Sequence, residues 1–280
     1  MQILDGKSLS QKIEHNIKNQ VQELQTKGIK PSLAVILVGD DPASHSYVTM
    51  KAKACQRCGI ESITKRLVSS ISEESLLLEI ENLNNDNLVH GILVQLPLPK
   101  HINTNKILEK ISPKKDVDGF HPFNAGKIFY GLDSLTPATP KGIITLLKEY
   151  KIDLVGKNVV IIGASNIVGK PLAALFLNEN ATITLCHIYT KNLKEHTLNA
   201  DILCVGVGKV NLITQDMVKE GAIVVDIGIN KLESGKIVGD VDFANVSQKT
   251  SYITPVPGGV GPMTIASLLE NTIKATQGNI

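Results

Sequence analysis

The chain has 280 residues, 42% of them hydrophobic and 20% charged, with 29 Lys and Arg against 27 Asp and Glu. That length suits two cores better than one, and a net charge of +2 gives no electrostatic reason to expect nucleic acid or an anionic membrane as partner. Aromatics at 4% with no tryptophan argue against stacking platforms for single strands. The start MQILDGKSLS lacks the apolar core of a signal peptide, and no apolar run reaches the about 18 residues of a membrane span, so a cytoplasmic protein is expected.

In chain order, Leu9, Ile13, Ile17, Val21 and Leu24 recur at helical spacing and predict a first helix that stops at Gly28. SLAVILVGD is a near-continuous apolar run of the kind that forms a buried parallel strand. A helix from about Ser46 to Cys58, a strand near Ile63–Val68 and a helix in SEESLLLEIENL follow, then a strand in HGILVQL and a helix in TNKILEKI. From SPKKDVDGF to TPATP periodicity lapses and turn residues gather, which places the domain junction there. Thr139 before Pro140 then reads as an N-cap and a first-turn proline.

The second half opens KNVVIIGASNIVGKPLAALFL, a strand, a glycine turn and a helix. Strands in TITLC, DILCVGV, AIVVDIGI and SYITPV follow, separated by short helices, and a last helix is predicted over Thr264–Thr276. Alternation of strand and helix from end to end predicts an α/β protein with largely parallel sheets, its second half a doubly wound nucleotide domain. The final helix leaves that domain, on this reading, to pack on the first.

Pro255, Pro257, Pro262, Gly258, Gly259 and Gly261 fall within the ten residues PVPGGVGPMT. Neither helix nor strand is expected from that composition. A stiff bare-backbone loop that a flat ligand approaches closely is, and the helix after it would turn its first N–H groups toward that ligand. GASNIVG, from Gly163 to Gly169, is a looser glycine pattern than the usual dinucleotide fingerprint, with Ser165 at the second glycine. Its place after a strand and before a helix points to a pyrophosphate site rather than a plain tight turn. TITLC ends in His187-Ile188-Tyr189-Thr190 with no acid for ribose hydroxyls, while Lys170, Lys191 and Lys194 lie near in sequence; NADP is favoured over NAD.

Cys55 and Cys58 form a CxxC inside a helical segment, and Cys186 and Cys204 are too distant to complete a zinc site, so all four read as reduced structural thiols and no metal is expected. Tyr47 and Lys51, four apart, share one helix face; a phenol and an ammonium there suit an aromatic substrate and a moving proton. Gln95 interrupts GILVQLPLP at a strand end, where an unbonded amide would cost about 1–3 kcal/mol. In KDVDGFHP, Gly119 implies a turn that aims Asp118 into a cleft, or an Asx-turn that would suit Asp116 equally.

Together YVTMKAKAC, GILVQLPLP, KDVDGFHP, GASNIVGKP and PVPGGVGPMT resemble, in order and spacing, the bifunctional methylenetetrahydrofolate dehydrogenase/methenyltetrahydrofolate cyclohydrolases. The resemblance spans essentially the whole chain. It implies a three-layer α/β folate domain over residues 1–138, a Rossmann-type NADP domain over 139–264, and a helix 265–280 packing on the first, with a folate cleft between domains in a homodimer. It also implies a place in one-carbon metabolism and purine biosynthesis. Lys51 would be the catalytic acid/base held by Gln95, Tyr47 would pack on the aminobenzoate ring, and Asp118 would bind the pterin edge. Pro257, Gly258 and Gly259 would line the same cleft, and Gly163, Ala164, Ser165, Ile188 and Ile229 would contact the cofactor. Two positions depart from the family pattern: Ile188 stands where a serine is usual, and Val210 follows Gly208-Lys209 where a proline is usual. A shikimate-dehydrogenase-like oxidoreductase, a non-catalytic NADP-binding protein and a member with a single activity are the competing readings.

Overall fold

The computed structural model describes residues 1–278. In chain order its elements are β1 (Gln2–Ile3), α1 (Gly6–Thr26), β2 (Ser32–Val38), α2 (Pro42–Cys58), β3 (Glu61–Leu67), α3 (Glu73–Asn85), β4 (Gly91–Val94), α4 (Thr104–Lys110) and α5 (Pro122–Phe129). Then come α6 (Ala138–Glu149), β5 (Asn158–Ile162), α7 (Gly169–Asn178), β6 (Thr182–Cys186), α8 (Leu193–Leu198) and β7 (Ile202–Val205). The chain ends with β8 (Ile223–Asp226), a hairpin of β9 (Asn230–Lys231) and β10 (Ile237–Val238), α9 (Phe243–Val246), β11 (Tyr252–Ile253) and α10 (Val260–Thr276).

These elements form two compact units, Gln11–Ala138 with the chain from Ile265, and Met1–Ser10 with Thr139–Thr264. In the first, β2 pairs in parallel with β3 on one side and β4 on the other. All seven residues of β2 are buried, so both faces of the sheet are covered, the mark of a three-layer α/β unit. Ala34, Ile36 and Val38 face one core with Leu76 and Ile80 of α3, Ile92 and Val94 of β4 and Ile107 of α4.

The second unit carries a parallel six-stranded sheet in the order β1-β11-β8-β7-β5-β6. Successive strands lie on opposite sides of β5, so the chain reverses its winding there and leaves a crevice at the strand ends. The extra strand β1 corrects the expected boundary at residue 1: the first ten residues belong to this unit because β1 adds to the sheet edge at β11. Residues 279 and 280 of the expected helix 265–280 lie outside the described residues.

Several local expectations shift for identifiable reasons. α2 begins at Pro42 rather than near Ser46, because the Asp41 carboxylate caps it by accepting from the Ser44 N–H at 2.7 Å and Pro42 fits the first turn. α6 starts at Ala138, so Thr139 lies inside the helix and its hydroxyl pairs with that of Thr264 at 2.9 Å. α10 begins at Val260 and takes Gly261 and Pro262 into its first turn, where proline loses no hydrogen bond. α5, absent from the sequence reading, is started by His121, whose ring accepts from the Phe123 N–H at 3.0 Å.

Candidate active site

Lys51 lies on α2 and is only 8% exposed, beside buried Ser44, Val48 and Cys55 on the same helix. Its ammonium donates to Gln95 Oε1 at 3.1 Å, and Gln95 Nε2 donates to the Leu96 carbonyl at 2.8 Å. Gln95 comes directly after β4, where its own N–H bonds the Ile36 carbonyl at 2.9 Å, so the amide sits at the carboxyl ends of parallel strands. Both ends of that amide are occupied, which fixes which way its oxygen faces.

The segment before Asp118 runs beside β4, with Ile92 N–H bonded to the Lys115 carbonyl at 2.7 Å. Of the two aspartates in KDVDG, Asp116 makes the turn: it accepts from His121 N–H at 2.8 Å and Asn124 Nδ2 at 3.0 Å. Asp118 has no hydrogen-bond partner among the described residues and interacts electrostatically with Lys51. Gly119 has φ +72°, and a Cβ there would meet the Pro137 nitrogen at 2.5 Å, so only glycine makes the bend. Burial pushes the Lys51 ammonium below its ordinary range and the Asp118 carboxyl above its own, and their mutual attraction opposes both shifts. Tyr47, half-buried one turn before Lys51, has its phenol pushed up by burial. The structure thus brings Lys51, Gln95 and Asp118 together. The thiols of Cys55 and Cys58, pushed up by burial to about 12 and about 11, are inert.

In the other unit, Gly258 adopts φ +112° and its carbonyl accepts from Lys7 N–H at 2.8 Å, while Gly259 N–H bonds the Pro255 carbonyl at 2.9 Å. A Cβ on Gly6 would lie 1.9 Å from the Gly259 oxygen. The start of α1 therefore backs the loop Pro255–Gly259, a contact no local spacing announces.

Gly163 ends β5 at φ +113°, and a Cβ on it would meet the Gly206 carbonyl at 2.5 Å. Gly169 packs closer still, since a Cβ on it would lie 1.7 Å from the Gly163 carbonyl oxygen. Ser165 Oγ accepts from Val168 N–H at 3.1 Å and Gly169 N–H at 3.4 Å, which takes up the first donors of α7. The N–H groups of Ala164, Ser165, Asn166 and Ile167 have no acceptor among the described residues, so the turn presents free donors of the kind a pyrophosphate takes. Ile188 is 91% exposed at the end of β6. Of the three lysines near it in sequence, Lys170 bonds Asn166 at 2.7 Å and Lys194 pairs with Asp216 at 2.6 Å. Lys191 alone of the three has no partner among the described residues. The residues present fit a dinucleotide.

Sequence reasoning missed two buried carboxylates. Asp240 accepts from the N–H groups of Val207 at 2.6 Å, Gly208 at 2.9 Å and Lys209 at 2.9 Å, and from Asn230 Nδ2 at 2.8 Å. Asp226 accepts from Gly228 N–H at 2.9 Å, Asp240 N–H at 3.0 Å and Val241 N–H at 2.9 Å. Burial and the neighbouring Asp240 charge push the Asp226 carboxyl up to about 6. The glycines in DIGIN and VGD were the available signal. Among the described residues no cluster of three or more His, Cys, Asp and Glu could hold a metal, and no helix is long and apolar enough to cross a membrane.

A doubly wound unit with free turn amides, in one chain with a unit that buries a lysine at its strand ends, is the architecture of a nucleotide-dependent enzyme. Residues 4–118 match the catalytic domain, and residues 137–280 the NAD(P)-binding domain, of tetrahydrofolate dehydrogenase/cyclohydrolase. The bifunctional protein FolD of Wolinella succinogenes is 66% identical, over 99% of this chain and 97% of that protein. The crystal structure of the bifunctional FolD dehydrogenase/cyclohydrolase of Campylobacter jejuni superposes with a TM-score of 0.98 at 59% identity, covering 100% of both chains. The Trypanosoma brucei dehydrogenase-cyclohydrolase, complexed with NADP and an inhibitor, gives 0.95 at 34%, over 99% of this chain and 97% of that one. The chain belongs to the tetrahydrofolate dehydrogenase/cyclohydrolase family.

Proposed function

We propose that the chain oxidises 5,10-methylenetetrahydrofolate to 5,10-methenyltetrahydrofolate with NADP and hydrolyses that product to 10-formyltetrahydrofolate. It is a bifunctional dehydrogenase and cyclohydrolase. The observation that carries the reading is Lys51, a buried ammonium whose hydrogen-bond partner is a neutral amide, with an unbonded carboxylate beside it. When bound, the nicotinamide accepts the hydride that the methylene carbon gives up.

The methenyl cation then adds water, whose oxygen must lose both its protons while the nitrogen whose bond to carbon breaks gains one. Neutral Lys51 takes one proton from that oxygen and passes it to the nitrogen, and the other leaves to solvent, for a net release of one proton. The role requires a lysine neutral near pH 7, and burial shifts it in that direction. Gln95 Oε1 aims the ammonium, Asp118 accepts from the pterin amino edge, and Tyr47 packs on the aminobenzoate ring. Pro257, Gly258 and Gly259 contact the folate from their loop.

The folate-binding half is assigned to residues 1–138 with the helix from 265, less the first ten residues, and the cofactor half to 139–264. Gly163, Ala164 and Ser165 meet the pyrophosphate, and Ile188 and Ile229 flank the cofactor. NADP over NAD is supported by the absence of an acid at the end of β6 and by the unpaired Lys191; Ile188, lacking a hydroxyl, weakens that preference. A homodimer is the expected assembly, and four free buried cysteines suit the cytoplasm. The test is to give purified protein methylenetetrahydrofolate and NADP and follow reduced nicotinamide and formyl product together. Both should appear. Reduced nicotinamide without accelerated formyl product would leave a dehydrogenase alone, and no turnover with NADP or NAD would refute the reading.

A further inference from the structure

We propose that Asp226 and Asp240 are positioning residues for the cofactor: together they hold the two segments, Val207–Lys209 and Gly228–Asn230, that line the cofactor crevice at the ends of β7 and β8. The proposal rests on the cofactor reading above and adds the device that shapes the seat.

Both segments leave the carboxyl ends of neighbouring parallel strands, β7 and β8, beside the point where winding reverses. Open α/β sheets bind their ligands at that end. Gly206 touches the Gly163 turn, which ties the first segment to the pyrophosphate turn. Each segment carries one apolar side chain left half in solvent, Val207 at 45% and Ile229 at 48% exposed, while the backbone around it is fastened inward.

The fastening is unusually complete. Three successive N–H groups, Val207 to Lys209, turn onto the single carboxylate of Asp240, a backbone nest closed on an internal anion. The same carboxylate accepts from Asn230, and Asp226 accepts from Gly228, so Ile229 has a tethered residue on either side. Asp226 also accepts the N–H groups of Asp240 and Val241, which locks the second acid in place from behind. The two acids thereby close the base of the β9–β10 hairpin. A Cβ on Gly239 would fall 1.8 Å from Asp226 Oδ2, and one on Gly228 would fall 2.3 Å from the Asp240 carboxyl, so glycine is required at both positions. No acid is needed merely to close a hairpin. Two fully occupied buried carboxylates suit a geometry that must stay fixed while a ligand comes and goes.

The test is Asp240→Asn, in which an amide NH₂ replaces one acceptor oxygen and faces a backbone N–H. Losing one or two charge-assisted hydrogen bonds, at roughly tenfold each, should raise the KM for NADP about tenfold or more. The maximal rate at saturating NADP and the cofactor-free hydrolysis of methenyltetrahydrofolate should stay within about twofold. A folded variant with unchanged KM overturns the proposal, as does a parallel loss of KM, maximal rate and hydrolysis, which marks a general structural role. If Asp240→Asn does not fold, Asn230→Ala removes a single tether; a several-fold rise in KM for NADP supports the proposal and no rise overturns it. Wild-type protein that turns over neither NADP nor NAD would overturn the cofactor reading, and the proposal with it.

Discussion

The two units each bury ionisable side chains at the carboxyl ends of parallel strands, and they treat them in opposite ways. Asp226 and Asp240 are surrounded by backbone donors on every oxygen. Lys51 has one neutral partner, and Asp118 has no hydrogen bond among the described residues. A buried charge with all its partners supplied holds backbone in place; one left partly unpartnered is available to a substrate. Depth of burial does not separate positioning from chemistry here. The completeness of the hydrogen bonding does.

Breaking the unpartnered side should have the largest effect. Lys51→Met should lower hydrolysis of methenyltetrahydrofolate by about a hundred- to ten-thousandfold, the range of acid/base catalysis, with folate binding retained by fluorescence titration. Hydrolysis at the wild-type rate would refute the role.

The saturated side should show itself in stability against pH. The Asp226 carboxyl at about 6 in the fold, against 3.8 when unfolded, binds its proton more tightly in the native state. Its contribution is therefore complete below pH 3.8 and is lost as the pH rises through about 6, a change of about 3 kcal/mol. Denaturant titrations from pH 4 to 7 should show that decline in wild type and lack it in Asp226→Asn; equal slopes would contradict the assignment. Gly239→Ala forces a methyl onto the same carboxylate and should cost about 1–3 kcal/mol, seen as a lower Tm. An unchanged Tm would mean that the hairpin base yields easily.

The smallest effect expected lies at the rim. Ile188→Ser adds one exposed hydroxyl and should improve NADP over NAD by less than about tenfold in kcat/KM, one hydrogen bond's worth. Equal discrimination before and after would remove Ile188 from the cofactor site.

Much of this was legible along the chain. The apolar runs SLAVILV and NVVII became β2 and β5, Tyr47 and Lys51 stood out by sharing a helix face four residues apart, and Gln95 by interrupting a buried run. What stayed hidden is what depends on distant pairing. β1 is two residues long and exists only because β11 offers it an edge. α5, at eight residues, completes barely two turns, too few for a period to register. The Asp240 carboxylate is 31 to 33 residues from the N–H groups it holds, and no local spacing announces such a bond. Asp116 and Asp118 have equal claims to the turn along the chain, and only the bonds to His121 and Asn124 separate them.

The most direct measurement is the titration of Lys51 itself, with isotope-labelled lysine followed by NMR and Lys51→Met used to assign its signal. The Nζ should titrate below the ordinary value of 10.5, and lower still in Asp118→Asn, where the attraction that opposes the shift is gone. A Lys51 that titrates at 10.5 or above would contradict the buried, partly unpartnered acid/base on which the chemistry depends.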